Sequence, residues 1–272
     1  MERLPAYRAL APVPPGLMAW HHGGPEAVPL PHRMLPFWYA SVALRRIWSA
    51  RGHVLSVRAE VLGPASRPYI YAPRERTEIL GVAFQAELSP DLTGARLDEL
   101  DGVRGAWMDH RPDGLDRLIA RAEAGEAAAT LQTSLMTLVQ DKLARASDGH
   151  KETASDHALG LIRRTGGQVR MSRLAQQLDL SERTLNRQIS GTTGLSPKAY
   201  ARLVRLGRIA QSADADDQPD WAGLAHDHGL VDQAHLAREF KHILGLSPAR
   251  AHAERRHGVS DLSNTGVEVS AI

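Results

Sequence analysis

"LAQQLDLSERTLNRQISGTTGLSP", residues 174–197, has a second version in "LAHDHGLVDQAHLAREFKHILGLSP", residues 224–248. The Leu-Ala pairs at Leu174-Ala175 and Leu224-Ala225 are offset by 50, whereas Leu185 and Leu236, Ile189 and Phe240, and the two GLSP words are offset by 51. One additional residue in the second turn accounts for the change. GLSP itself is helix punctuation: the Gly ends a helix at positive φ, the Leu packs back, the Ser caps the next helix and the Pro fits its first turn. Each copy therefore reads as a short helix, a turn of three or four residues and a second helix, which is the helix-turn-helix pattern. In the first copy Ser181 caps the second helix, Leu185 and Ile189 face inward, and Arg183, Asn186 and Arg187 face outward. In the second, Asp232 is the cap, Leu236 and Phe240 face inward, and Gln233, His235 and Arg238 lie outward or on the flanks. Arg, Asn and Gln are side chains that form paired hydrogen bonds with base edges.

Between the copies, "SPKAYARLVRLGRIAQSA" at 196–213 reads as one long helix. Tyr200, Leu203, Val204 and Gly207 follow the core spacing, and Leu206 and Ile209 widen the apolar surface enough to touch both copies. Lys198, Arg202, Arg205 and Arg208 step by four, three and three, so they share one stripe. Charge supports a polyanionic partner only locally. Residues 1–149 balance 17 Lys/Arg against 17 Asp/Glu, whereas residues 163–208 carry ten against two, a net +8. Residues 209–257 are acidic in balance. A concentrated basic stretch suits nucleic acid, with a solvated helical surface as the plainer reading.

The rest of the chain has a different texture. The runs "HVLSVRAEVLGP" at 53–64, "RPYIYAP" at 67–73 and "TEILGVAF" at 77–84 read as strands of a small sheet or barrel. From about 92 to 145, Leu115, Leu118 and Ile119 and then Leu131, Leu135, Leu138 and Val139 give helices with one apolar face. The polar "ASDGHKETASD" at 146–156 reads as a linker, and "GVSDLSNTGVEVSAI" at 258–272 as a disordered tail. The expected architecture is an α+β N-terminal domain over 1–145, a small β-sheet or barrel followed by helices, plus an all-α C-terminal domain over 157–257.

Composition narrows the chemistry. The chain has no cysteine, so disulfides, thiolate metal sites and a Cys nucleophile are excluded, and no G-x-S-x-G elbow occurs. His21, His22, His32 and His53 lack the close spacing, with a following carboxylate, that a metal centre of a β-barrel would use. No metal or cofactor is expected on these grounds, and a metal-dependent enzyme domain fused to the helical module is the rival reading. Trp38, Phe37 and Tyr71 read as core residues before pocket residues. No run reaches about 18 uninterrupted apolar residues, and the start lacks a basic segment followed by an apolar one, which makes the cytoplasm the expected location and a membrane an unexpected partner.

Residues 157–257 resemble the DNA-binding domain of the AraC/XylS family of transcription regulators, through "LSERTLNRQISGTTGLSPKAYARLVRL" and "DQAHLAREFKHILGLSPARAH". The N-terminal half resembles more loosely an uncharacterised domain that precedes this module in some members, at "LPFWYASV", "VLGP" and "GVAFQAE". The resemblance implies a sequence-specific regulator of transcription that binds double-stranded DNA and is not an enzyme. Its two second helices would enter successive major grooves, with Arg183, Asn186 and Arg187, then Gln233, His235 and Arg238, reading bases. Ser181, Lys198, Arg202 and Arg205 would hold the backbone. It implies a sensory or dimerising first domain and leaves room for RNA polymerase, a small-molecule effector and a second copy of the chain as partners. Ile189 and Leu230 depart from the family's usual Phe, and Gly223 occupies an exposed helical position where Gly costs roughly 1 kcal/mol relative to Ala.

Overall fold

The computed structural model describes residues 10, 12–14, 17–29, 31–34, 36–88, 92, 106–107, 114–147 and 152–257 of the 272-residue chain. The tail expected at 258–272 and the middle of the linker expected at 146–156 lie outside the described residues.

The N-terminal half is a five-stranded antiparallel sheet in the order β1-β6-β3-β4-β7 with a two-stranded sheet, β2-β5, beside it. The strands are β1 (Met18–Gly23), β2 (His32–Met34), β3 (Ala40–Trp48), β4 (Val54–Leu62), β5 (Tyr69–Tyr71), β6 (Arg76–Phe84) and β7 (Ala106–Trp107). Three of the strands, β4, β5 and β6, are those that the sequence announces. The central strand β3 was not among them: Arg45 and Arg46 interrupt its apolar run, and both turn out to be paired inside the domain. Arg46 reaches Glu78 across the sheet at 2.5 Å and donates to the Glu126 carbonyl at 2.6 Å, and Arg45 reaches Glu60 at 2.9 Å. Burial raises the Glu60 carboxyl above its ordinary pKa, against the opposing pull of Arg45.

Alternation along the strands gives the sheet two faces. One carries Val42, Leu44, Val61, Leu80 and Val82, and α1 (Leu115–Glu123) and α2 (Ala128–Ser147) cover it with Leu115, Leu118, Leu131, Leu135 and Val139. The apolar stripe of these helices is thus intradomain core. Gln132 of α2, fully buried, donates to the Trp20 carbonyl at 2.9 Å and accepts from the Leu10 amide at 2.6 Å, which ties the start of the chain to the helix layer. The other face carries Ala43 and Ile79, which pack with Tyr71, Tyr69 and Trp20. A short 3₁₀ turn, Ala86–Leu88, follows β6.

The C-terminal half is helical: α3 (Ala154–Arg164), α4 (Met171–Gln177), α5 (Glu182–Thr193), α6 (Pro197–Ala213), α7 (Trp221–Asp227), α8 (Gln233–Leu244) and α9 (Pro248–His257). Thr153 opens α3 with a reciprocal cap, accepting from the Asp156 amide while its own amide donates to Asp156. The GLSP words do what their chemistry dictates. Gly194 and Gly245 end α5 and α8 at φ 70° and 72°, and the Ser196 Oγ accepts from the Ala199 amide with Pro197 in the first turn. Leu195 and Leu246 fold back into one shared core. That core runs through both halves of the repeat, because α6 buries Tyr200, Ala201, Leu203, Val204, Leu206 and Ile209 around much of its circumference. Burial over so much of its surface makes the connector a rigid strut, not a linker.

Candidate nucleic-acid interface

The two helix-turn-helix units are α4 with α5, and α7 with α8. In each, the same backbone bond closes the turn: Leu180 N donates to Ala175 O at 2.9 Å, and Leu230 N donates to Ala225 O at 2.8 Å. The additional residue of the second copy is therefore Val231, which follows the buried Leu230 and stands 84% exposed just before the cap. Ser181 caps α5, accepting from the Thr184 amide at 3.1 Å, and Asp232 caps α8, accepting from the His235 amide at 2.6 Å.

These caps fix which way each second helix faces. Leu185 and Ile189 of α5, and Leu236 and Phe240 of α8, are buried in the common core. On the other sides of these helices, Arg183, Asn186 and Arg187 are exposed, as are Gln233 and Arg238, while His235 is half-buried. Ile189 and Leu230, the two departures from Phe, are both buried. Gly223, expected to be exposed, is instead half-buried, and a Cβ there would meet the capping carboxylate of Asp220 at 2.5 Å.

The basic stripe of α6 divides. Lys198 and Arg208 are exposed. Arg202 donates to Glu239 of α8 at 2.9 Å, and Arg205 donates to the Gly167 carbonyl at 2.7 Å. Each of these two guanidiniums thus meets an acceptor that packing brings to it. Arg202 ties the connector to the second helix of unit two, and Arg205 ties it to the turn after α3. Burial pushes the Arg205 pKa below its ordinary value, with Glu239 opposing.

A second polar cluster backs unit one, and nothing in the sequence marks it. Arg163 of α3 donates to the Tyr200 hydroxyl and to Gln85 Oε1, both at 3.1 Å, and pairs with Glu87 at 2.5 Å. Burial disfavours the Arg163 charge, but Glu87 and Tyr200 outweigh it and its pKa rises. Burial pushes the Tyr200 hydroxyl up to about 12, against Arg163. Because the folded value exceeds the unfolded one near 10, the neutral hydroxyl stabilises the fold below pH 10 and this contribution is lost as pH rises through about 12. Tyr200→Phe is expected to flatten that part of a thermal-melting profile taken from pH 9 to 12; an unchanged profile would show that Tyr200 does not set it.

Among the described residues no three His, Asp or Glu come together as a metal-holding group, and His21 instead bonds Glu78 at 2.9 Å. Among them, too, no helix is long and apolar enough to cross a membrane.

Two helix-turn-helix units sharing one core and one connecting helix define a double helix-turn-helix domain of the DNA-binding kind. Residues 174–253, which take in all but the first three residues of the two units, match the family model described as a helix-turn-helix domain. The chain is 27% identical over 157 residues to the HTH-type transcriptional activator RhaS of Pectobacterium carotovorum subsp. carotovorum (strain PC1), covering 54% of each chain. The same protein of Pectobacterium atrosepticum matches equally, at 27% over 157 residues. The chain thus spans about half the length of the curated relatives that it matches. Among solved structures, ToxT from Vibrio cholerae O395 is similar over 88% of this chain and 97% of its own, with 8% identity and a TM-score of 0.45. The C-terminal domain of AraT from Geobacillus stearothermophilus is similar over 42% of this chain and 93% of its own, with 21% identity and a TM-score of 0.35. These matches support the resemblance of the helical half to the DNA-binding domain of AraC/XylS regulators.

Proposed function

We propose that this protein is a sequence-specific DNA-binding regulator of transcription that reads two successive major grooves, with its N-terminal domain governing that reading. One observation carries the proposal: α5 and α8 each bury an apolar face in a common core and turn Arg, Asn and Gln side chains outward from a capped N-terminus. Exposed Arg, Asn and Gln at the start of a helix are what base-edge recognition requires. Lys198 and Ser181 supply the backbone contacts. RNA polymerase, a small-molecule effector and a second copy of the chain are the partners such a regulator would meet, without a membrane and in the cytoplasm. No enzymatic step is part of this reading.

Selection of duplexes from a random-sequence pool tests it. The wild-type chain is expected to enrich one bipartite sequence. Arg187→Ala should cost roughly 1–3 kcal/mol in binding and relax the preference at one or two positions of a single half-element. Lys198→Ala should weaken all sequences alike and lower the salt slope by about one. An Arg187→Ala chain with its base preference intact would remove that residue from the reading set.

The two units should respond differently to salt. The basic excess lies over 163–208 and the acidic balance over 209–257, so phosphate attraction favours unit one together with its connector. Arg183→Ala is expected to impair binding at low and moderate salt on every operator. Arg238→Ala should impair it only where the second half-element is a good match. Equal losses on all operators would show that charge balance does not rank the units.

A further inference from the structure

The DNA-reading half is not a free module, because three residues of the N-terminal half seat directly on the helices around its first unit. Glu87, only 4% exposed at its side chain, pairs with Arg163 of α3 at 2.5 Å, and Gln85 accepts from the same guanidinium at 3.1 Å. Arg163 in turn donates to Tyr200 of α6, so one cation links the sheet domain to both the entry helix and the connector. The 3₁₀ turn that carries Glu87 lies against α5, the helix of the first base-reading set. Trp38 makes the second seat. It packs on the helical core, and its ring covers Gly207 of α6 so closely that a Cβ there would stand 2.3 Å from the ring. The Phe37–Ala65 bridge, with bonds of 3.1 and 2.9 Å, holds the backbone beside Trp38. A glycine on a helix with no need of positive φ is explained by this close approach, since any larger residue would displace the indole.

We propose that Glu87 and Trp38 are positioning residues for DNA reading: together they clamp the first helix-turn-helix unit to the N-terminal domain and hold it in its reading posture. A contact of this kind can act as a support or as a brake. Exposure decides for support, because Arg183, Asn186 and Arg187 all stand exposed while both seats are closed. The seats engage α3, α6 and α5 and leave Arg183, Asn186 and Arg187 open. Preorganisation of this kind raises affinity by lowering the cost of ordering at the moment of binding.

The inference rests on the regulator reading, and its test uses the full chain with a duplex that the wild type has enriched from a random-sequence pool. Gly207→Ala adds one methyl under Trp38 while favouring the helix that carries it. Glu87→Gln keeps the shape of the side chain and removes the charge opposite Arg163. Each variant is expected to bind the duplex roughly tenfold more weakly, with the same preferred sequence and the same salt slope, because no base or phosphate contact is altered. The double variant should bind little worse than either single one, since both open one clamp, whereas two separate structural injuries would add. Unchanged binding in both variants, additive losses, or tighter binding that marks the contact as a brake would each overturn the proposal. A wild-type chain that enriches no sequence overturns the regulator reading itself, and the clamp's role with it, and is told apart from these by appearing before any variant is made.

Discussion

Inserting about five base pairs between the two half-elements of an enriched operator is expected to reduce specific binding by roughly a hundredfold or more, toward the level of random duplex. The connector sets this expectation. At 17 residues and about 1.5 Å per residue, α6 spans about 25 Å, short of the roughly 34 Å between successive major grooves on one face but within reach once α5 and α8 extend from its ends. Burial around much of α6 and the Arg202–Glu239 bridge leave the units no freedom to rotate by half a turn. An insertion of about ten base pairs restores the face but moves the second half-element away by another full turn, so it should recover little. Footprinting and titration on the three spacings provide the measurement. Equal affinity for all three would mean that one unit reads alone, and the proposal of two simultaneous readers would fall.

Gly167→Ala is expected to destabilise the helical half by roughly 2–5 kcal/mol, the sum of a left-handed backbone cost and a forced displacement. Gly167 sits at φ 76°, and a Cβ there would stand 2.1 Å from the Ala201 carbonyl oxygen of α6. Its amide donates to Ile162 O at 2.8 Å, and its own carbonyl accepts from Arg205, so the turn after α3 has no slack in either direction. The neighbouring Gly166, at φ 60°, is the control: its nearest atom to an added Cβ is the Arg208 Cγ at 3.9 Å, which leaves only the backbone cost. Thermal melting of the two variants should therefore separate them, with Gly167→Ala lower by roughly 10 °C or more. Equal melting points would show that the turn yields where the structure shows it packed.

The expected effects of these two changes come from features of unequal legibility. The double helix-turn-helix was readable at the level of single residues: Ser181 and Asp232 as caps, Gly194 and Gly245 as helix ends, Leu185, Ile189, Leu236 and Phe240 as the buried stripe. The outward set followed from that stripe, because a helix that buries one face must expose the opposite one. In the N-terminal half the strands β4, β5 and β6 were legible from β-branched and aromatic runs, whereas β3 was not. Its Arg45 and Arg46 look like surface residues until Glu60 and Glu78 arrive from β4 and β6 to pair with them.

The sequence by itself determined the helical punctuation, the inner and outer faces of α5 and α8, and the concentration of positive charge over 163–208, mostly in the segments flanking unit one. These depend on rules that act within one or two helical turns, where a residue's neighbours in the chain are also its neighbours in space. Tertiary structure alone decided which charges of the connector remain available. Lys198, Arg202, Arg205 and Arg208 share one stripe in sequence, yet Glu239 claims the second, the Gly167 carbonyl claims the third, and the first and last stay exposed. It also decided that Trp38 covers Gly207 and that Glu87 holds Arg163. The physical reason is the same in each case: whether a charged or aromatic side chain is free depends on acceptors and surfaces delivered by distant elements, and only packing brings these together.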